Sequence, residues 1–297
     1  MNAAVGFANA WDEITLVLFT TLAPSGVAAL IIMALVFVVR GPALDTALRV
    51  AIDRFLWVPI LVTMVGLVAS ATHLGNPANA LYVLAGVGRS PLSNEVASGV
   101  VFLGSAGVYW LTAFSADGGR PRLRRAALVA ICALGVVFVT AIAFAYDAET
   151  IESWHLPVVP LSLWANALLG GPLLALVGLA AAGYRSRDGR LERGLVAVAV
   201  LAWAANVALY LLWGASLPQI ENALGAASDL APAFIPLVGV FAVLAAAGVA
   251  LAGAAAARVP ALTALPPWRL AAAFALVAAG LFVMRFAFYM TRMTVGL

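Results

Sequence analysis

The chain has 297 residues, 65% of them hydrophobic and 10% charged, with a formal net charge of +3 and a mean hydropathy of +1.07. A soluble domain carries roughly 25% charged residues, so the composition excludes an ordinary soluble enzyme and makes the bilayer the solvent. All sixteen basic residues are arginines placed mostly in loops, which implies no nucleic-acid partner, and the lone Cys132 excludes an internal disulfide or a cysteine-held iron–sulfur cluster carried by this chain alone.

A transmembrane helix needs about 20 apolar residues. In chain order, eight segments qualify, at 14–39, 55–73, 92–114, 126–146, 157–182, 194–214, 231–257 and 268–290. The expectation is one membrane domain over 1–297. The first segment is too long for the apolar region of a signal peptide and is read as a retained helix. Pro24, Pro59, Pro172 and Pro236 fall inside spans and read as kinks, which neighbouring helices tolerate by re-satisfying the freed carbonyls. Gly99, Gly104, Gly107, Gly170 and Gly171 read as points of close helix approach. Pro24 and Pro172, near the starts of spans one and five, hint only weakly at a repeat between the two halves.

Arginines alternate between the two edges. Loops 1–2, 3–4, 5–6 and 7–8 carry Arg40, Arg49 and Arg54, then Arg120, Arg122, Arg124 and Arg125, then Arg185, Arg187, Arg190 and Arg193, then Arg258 and Arg269. Loop 2–3 has only Arg89, and loops 4–5 and 6–7 are acidic, with Asp147, Glu149, Glu152, Glu221 and Asp229. The positive-inside bias then predicts an all-α integral membrane protein of eight transmembrane helices with both termini on the outer, periplasmic side. The expected location is the cytoplasmic (inner) membrane of a bacterium or archaeon.

Three ionisable groups fall where apolar spans meet the outer edge. Glu95 lies one turn into span three, after Ser90 as N-cap and Pro91 at the first helical position. A partly desolvated carboxylate there suits a group that exchanges a proton with a quinol, while the helix N-terminus favours the anion. His73 ends span two, where an imidazole can hydrogen-bond a quinone oxygen and relay protons. Arg285 lies near the outer end of span eight; it either pairs with an outer-side acid such as Glu95, Asp147 or Glu13 or snorkels to the headgroups. The second histidine, His155, sits in the acidic loop 4–5, a poor place for an axial ligand, so no haem is expected. Aromatic residues at span ends, among them Trp11, Tyr82, Tyr146, Trp154, Trp213, Trp268 and Tyr289, read mostly as interface belt. Asn166 and Asn206 read as glue between helices.

His73-Leu74-Gly75-Asn76-Pro77 and Leu92-Ser93-Asn94-Glu95-Val96-Ala97-Ser98-Gly99 together resemble the membrane anchor subunit of the bacterial dimethyl sulfoxide reductase family. Trp11-Asp12-Glu13, Gly170-Gly171-Pro172-Leu173-Leu174, Phe288-Tyr289 and Met293-Thr294-Val295-Gly296 fit the same family in order. The resemblance implies an anchor that exchanges electrons between menaquinol or ubiquinol and a four-cluster iron–sulfur partner subunit, which serves a molybdopterin catalytic subunit. It implies no haem in the anchor, and catalytic roles for His73 and Glu95. Ser93, Asn94 and Arg285 complete the expected quinone-binding set. The rival readings are a secondary transporter, disfavoured by a midplane nearly empty of charge, and a purely structural anchor whose quinone site lies elsewhere.

Overall fold

In hydrocarbon no water pairs with backbone groups, so each apolar stretch must close its hydrogen bonds internally, and a helix does this within one segment. A computed structural model describes residues 3–73, 80–114, 121–222, 225–258 and 266–293. Its helices are α1 (Ala3–Asp12), α2 (Ile14–Arg40), α3 (Thr46–Phe55), α4 (Trp57–Thr72), α5 (Ala80–Ala85), α6 (Pro91–Leu111), α7 (Pro121–Ala145), α8 (Val158–Ala181), α9 (Arg190–Ser216), α10 (Ala227–Leu230), α11 (Phe234–Ala256) and α12 (Pro267–Met290). Eight helical segments are long and apolar enough to cross a membrane. A two-residue antiparallel pair, Glu221–Asn222 with Gly225–Ala226, closes loop 6–7.

Several helices run past the apolar segments read from the sequence. The second span begins at Thr46 rather than at 55, because Asp45 caps α3 by accepting a hydrogen bond from the Leu48 amide at 2.7 Å. The fourth begins at Pro121 rather than at 126 and so includes Arg122, Arg124 and Arg125. Helical backbone continues into the headgroup layer there, where long arginines reach water. The tail before span one is also helical: Phe7 of α1 packs on Phe286 with ring centroids 5.3 Å apart.

The centre is α2 against α8, whose apolar stretches are 61% and 78% buried, against 22–44% for the other six. Small residues make the approach possible. A Cβ on Gly171 would lie 2.4 Å from the Ala28 Cβ, and, where α2 also approaches α4, one on Gly26 would lie 2.3 Å from the Thr63 Oγ1. Gly99 is also crowded, by the Phe138 ring, but a Cβ on Gly104 or Gly107 would meet nothing within 4 Å; these two are not close-approach points.

Neighbour relations repeat across the centre. α2 packs on α4 and α7 as α8 packs on α9 and α12; α6 pairs with α7 as α11 pairs with α12; α2 meets α12 as α8 meets α7. The halves therefore share one packing plan, with a proline-bearing helix first in each. Each half contributes four spans, so α2 and α8 enter from the same edge. The Tyr210 hydroxyl donates to Asn166 Oδ1 at 3.0 Å and ties α9 to α8, whereas the buried side chain of Asn206 meets no described partner.

Candidate functional site

α6 starts as its sequence dictates: Ser90 is the N-cap, its hydroxyl 3.5 Å from the Ser93 amide, and Pro91 follows. Asn94 Oδ1 accepts from the Gly88 amide at 2.7 Å and latches the turn before α6. Ser93 is buried against Gly86, where a Cβ would come 2.4 Å from its hydroxyl. One turn into the helix, Glu95 is fully buried, and neither carboxylate oxygen accepts a hydrogen bond from a described residue. A buried carboxylate without partners costs several kcal/mol by rough reckoning, and such costs are retained chiefly where a site needs them.

His73 closes α4 as its C-cap and is 41% exposed. Its Nδ1 lies 3.1 Å from Glu13 Oε2, and the other oxygen of the same carboxylate lies 2.7 Å from Arg292 Nη1. Glu13 occupies the break between α1 and α2 (φ −101°, ψ 18°) and is 8% exposed. Its carbonyl also accepts from the Leu16 and Val17 amides at 2.9 and 3.0 Å, which fixes the start of α2. The contact between Glu13 and His73 is one of ion-pair distance and not a hydrogen bond: Glu13 Oε2 accepts none from a described residue. Glu13 is expected from the sequence only as a partner for Arg285, and Arg292 is not marked at all; the structure sets both beside His73. Glu13 carried one usable signal, an acid at the very start of an apolar span. His73 and Glu95 lie at the same edge but form no ion pair with each other. The motif residues Leu74–Asn79 and Thr294–Gly296 lie outside the described residues.

Arg285 departs from expectation. It is fully buried, yet among the described residues no carboxylate pairs with it: Glu13 is held by His73 and Arg292, and Asp147 by His155 at 2.9 Å. Its Nε donates to Thr20 Oγ1 at 2.9 Å, and Thr20 in turn donates to the Leu16 carbonyl at 2.8 Å. The guanidinium carbon sits 3.9 Å over the Phe288 ring and 5.4 and 5.6 Å from the rings of Tyr146 and Tyr289. Aromatic faces thus take the place of a counter-ion. Nη1 and Nη2 meet no described acceptor.

The two unpaired charges share neighbours. The hydroxyls of Tyr146 and Tyr289 lie within electrostatic reach of both Glu95 and Arg285. The expected interface belt is therefore divided. Trp11, Tyr82 and Trp268 are 60%, 76% and 67% exposed, as a belt requires, but Tyr146, Trp154, Trp213 and Tyr289 are buried. Loop 4–5 folds over the end of α12 and covers them. Ser153 Oγ donates to the Thr291 carbonyl at 2.6 Å, Trp154 Nε1 to the Phe288 carbonyl at 3.2 Å, and Trp213 Nε1 to the Ser153 carbonyl at 3.1 Å. Trp154 also stacks on Phe288 with centroids 4.2 Å apart. No periodicity marks this cover, because it is built from loop backbone and indole N–H groups.

Among the described residues no group of three or more His, Cys, Asp or Glu side chains converges. His73 and His155 each face a carboxylate of their own. The described residues at this edge offer groups for proton exchange and hydrogen bonding.

The profile of the DMSO reductase anchor subunit (DmsC) family matches residues 7–290. The C subunit of the anaerobic dimethyl sulfoxide reductase of Escherichia coli is 33% identical over 293 residues, 97% of this protein and 98% of its own length. The anaerobic dimethyl sulfoxide reductase subunit YnfH of the same organism is 34% identical over 230 residues, 77% of this protein and 78% of its own length. The corresponding C subunit from Haemophilus influenzae is 31% identical over 221 residues, 74% and 76% of the two lengths. The protein is a multi-pass membrane protein that belongs to the DMSO reductase anchor subunit family, the membrane subunits of an oxidoreductase complex.

Proposed function

We propose that this protein exchanges electrons between the quinone pool and an iron–sulfur partner subunit, which in turn serves a molybdopterin catalytic subunit. The observation that carries the reading is the fully buried Glu95 carboxylate, without a hydrogen bond from any described residue, one turn below the edge at which Glu13 lies 3.1 Å from His73. Oxidation of a quinol releases two electrons and two protons. The Glu95 carboxylate accepts one proton, and His73 Nε2 hydrogen-bonds the other hydroxyl and takes the second. Arg285, held under Phe288, places a fixed positive charge beside Tyr146 and Tyr289, which also lie near Glu95. Both electrons pass to the partner's nearest cluster, docked over this edge. Run in reverse, the same groups deliver protons to a quinone.

By the arginine bias this edge is the outer, periplasmic one, with both termini on it, in the cytoplasmic membrane of a bacterium. Protons then leave on the same side as the electrons, and the redox step in this subunit moves no charge across the membrane. Protons released on the arginine-rich side of oriented vesicles would sink this arrangement.

The direct test compares two electron donors in the assembled complex. In Glu95→Gln, turnover driven by a quinol should fall at least about 100-fold, in the range of a lost general base. Turnover driven by a reduced viologen, which delivers electrons to the partner subunits directly, should be unchanged. Normal quinol turnover in that variant would leave the protein a structural anchor.

A further inference from the structure

At the opposite end of the bundle from Glu95, a cavity of about 390 Å³ opens between the end of α2, the start of α3 and the start of α7. Its lining joins two chemistries. Phe37, Val38 and Val50 form an apolar wall, and four arginines, Arg49, Arg122, Arg124 and Arg125, face it with a single carboxylate, Asp53. Asp53 is 1% exposed. It accepts a hydrogen bond from the Tyr109 hydroxyl at 2.8 Å and one from Arg124, so its charge is already engaged and it fixes Arg124 in the cavity wall. Among the described residues, none of the other three arginines meets a carboxylate. The Arg49 side chain donates to Thr46 Oγ1 at 3.4 Å, and its buried Nε meets no described partner.

We propose that this cavity binds the phosphodiester headgroup of an anionic phospholipid. An excess of guanidinium groups around a fixed aspartate is a site for a phosphate-type anion, which arginine recognises with paired N–H donors. Two features select a lipid over a soluble anion. The cavity lies at the level where α2 ends and the second and fourth spans begin, which is headgroup depth in a bilayer. Beside it, Val39 and Leu123 are 68% and 66% exposed and give acyl chains an apolar track, for which a free phosphate has no use. Basic pockets between helix ends are a known way to hold anionic lipid. The bound headgroup ties α3 and α7 to the end of α2 and steadies the first half of the bundle, independently of the quinone edge.

The test uses the delipidated complex in a neutral detergent, with thermal stability and the lipid retained in native mass spectra as readouts. Mixed micelles containing phosphatidylglycerol or cardiolipin should raise the unfolding midpoint, and phosphatidylcholine micelles and inorganic phosphate should not. Arg122→Gln combined with Arg125→Gln, both at exposed positions, should weaken the response to anionic lipid by about 30-fold in apparent affinity, at about 1 kcal/mol per arginine. The control pair Arg187→Gln and Arg258→Gln, exposed positions in other loops of the same edge, should leave the response within about 3-fold, set by screened surface charge alone. Equal stabilisation by inorganic phosphate would assign the site to a soluble anion. Equal stabilisation by phosphatidylcholine, or equal loss in the control pair, would reduce it to general lipid contact. Any of these three results overturns the proposal.

Discussion

Glu13 Oε2 lies 3.1 Å from His73 Nδ1, and that contact joins the first residue before span one to the last residue of span two. The carboxylate is nearly buried while the imidazole is partly exposed, so the acid is the fixed member of the pair and the histidine the one being oriented. Arg292 holds the second oxygen at 2.7 Å and fixes Glu13 in place from the far end of the sequence. Glu13→Gln keeps the shape but removes the charge that faces Nδ1. Quinol-driven turnover of the assembled complex should fall about 10–100-fold, the usual cost of losing a partner that orients a working histidine. Viologen-driven turnover should stay at the wild-type level. A matching fall in both would mean that Glu13 supports assembly and not the histidine.

Glu95 makes a second prediction that separates function from stability. Its carboxylate is buried without a hydrogen bond from any described residue, and an unsatisfied buried polar group costs about 1–3 kcal/mol, more if charged. Glu95→Gln removes the charge at constant size. The variant should lose quinol turnover yet unfold at a higher temperature than wild type in detergent, the exchange of stability for activity expected at a working site. An unfolding midpoint lowered by the substitution would show that the carboxylate has a stabilising partner and is a structural group.

The spans were legible because hydrocarbon forces one solution on each apolar stretch, and hydropathy counts that directly. The start of α6 was legible for the same local reason: Ser90 and Pro91 act on their own neighbours. Glu95 could be singled out because charge inside a span is rare. The partner of Arg285 could not be read, since Thr20 and Phe288 are apolar-helix residues with no mark of their own. Burial of Tyr146 and Tyr289 depends on where loop 4–5 lands, which no pattern along the sequence encodes. Asp53 lies 71 positions before Arg124, and their pairing needed the third dimension.

Arg285 tests whether its charge or its shape matters. Stacking on Phe288 at 3.9 Å in a water-free setting is worth about 2 kcal/mol, and a lysine cannot reproduce the planar contact. Arg285→Lys should therefore destabilise the protein by about that amount while keeping quinol turnover within a few-fold. Arg285→Met should lose turnover as well, because Tyr146 and Tyr289 no longer sit in a positive field. Denaturation curves and quinol assays on both variants decide it. Equal turnover in the two would remove the charge from the site.

The α2–α8 contact offers a control built into the sequence. A Cβ on Gly171 would come 2.4 Å from the Ala28 Cβ and 3.2 Å from backbone atoms of Ala28 and Ala29, with no flexible side chain to give way. Gly171→Val must push apart the two most buried helices, and overpacking of this kind costs about 1–3 kcal/mol or more. Gly107 is also a mid-helix glycine in a span, but a Cβ there meets nothing within 4 Å, so Gly107→Ala should gain roughly 0.5–1 kcal/mol from the lost backbone freedom of glycine. The two substitutions should move the unfolding midpoint of the detergent-solubilised complex in opposite directions. Since α2 carries Thr20, which holds Arg285, Gly171→Val should also lower quinol turnover in whatever complex survives, and Gly107→Ala should not. Tolerance of valine at 171 would mean that α2 and α8 do not form the close contact on which the rest of the bundle is arranged.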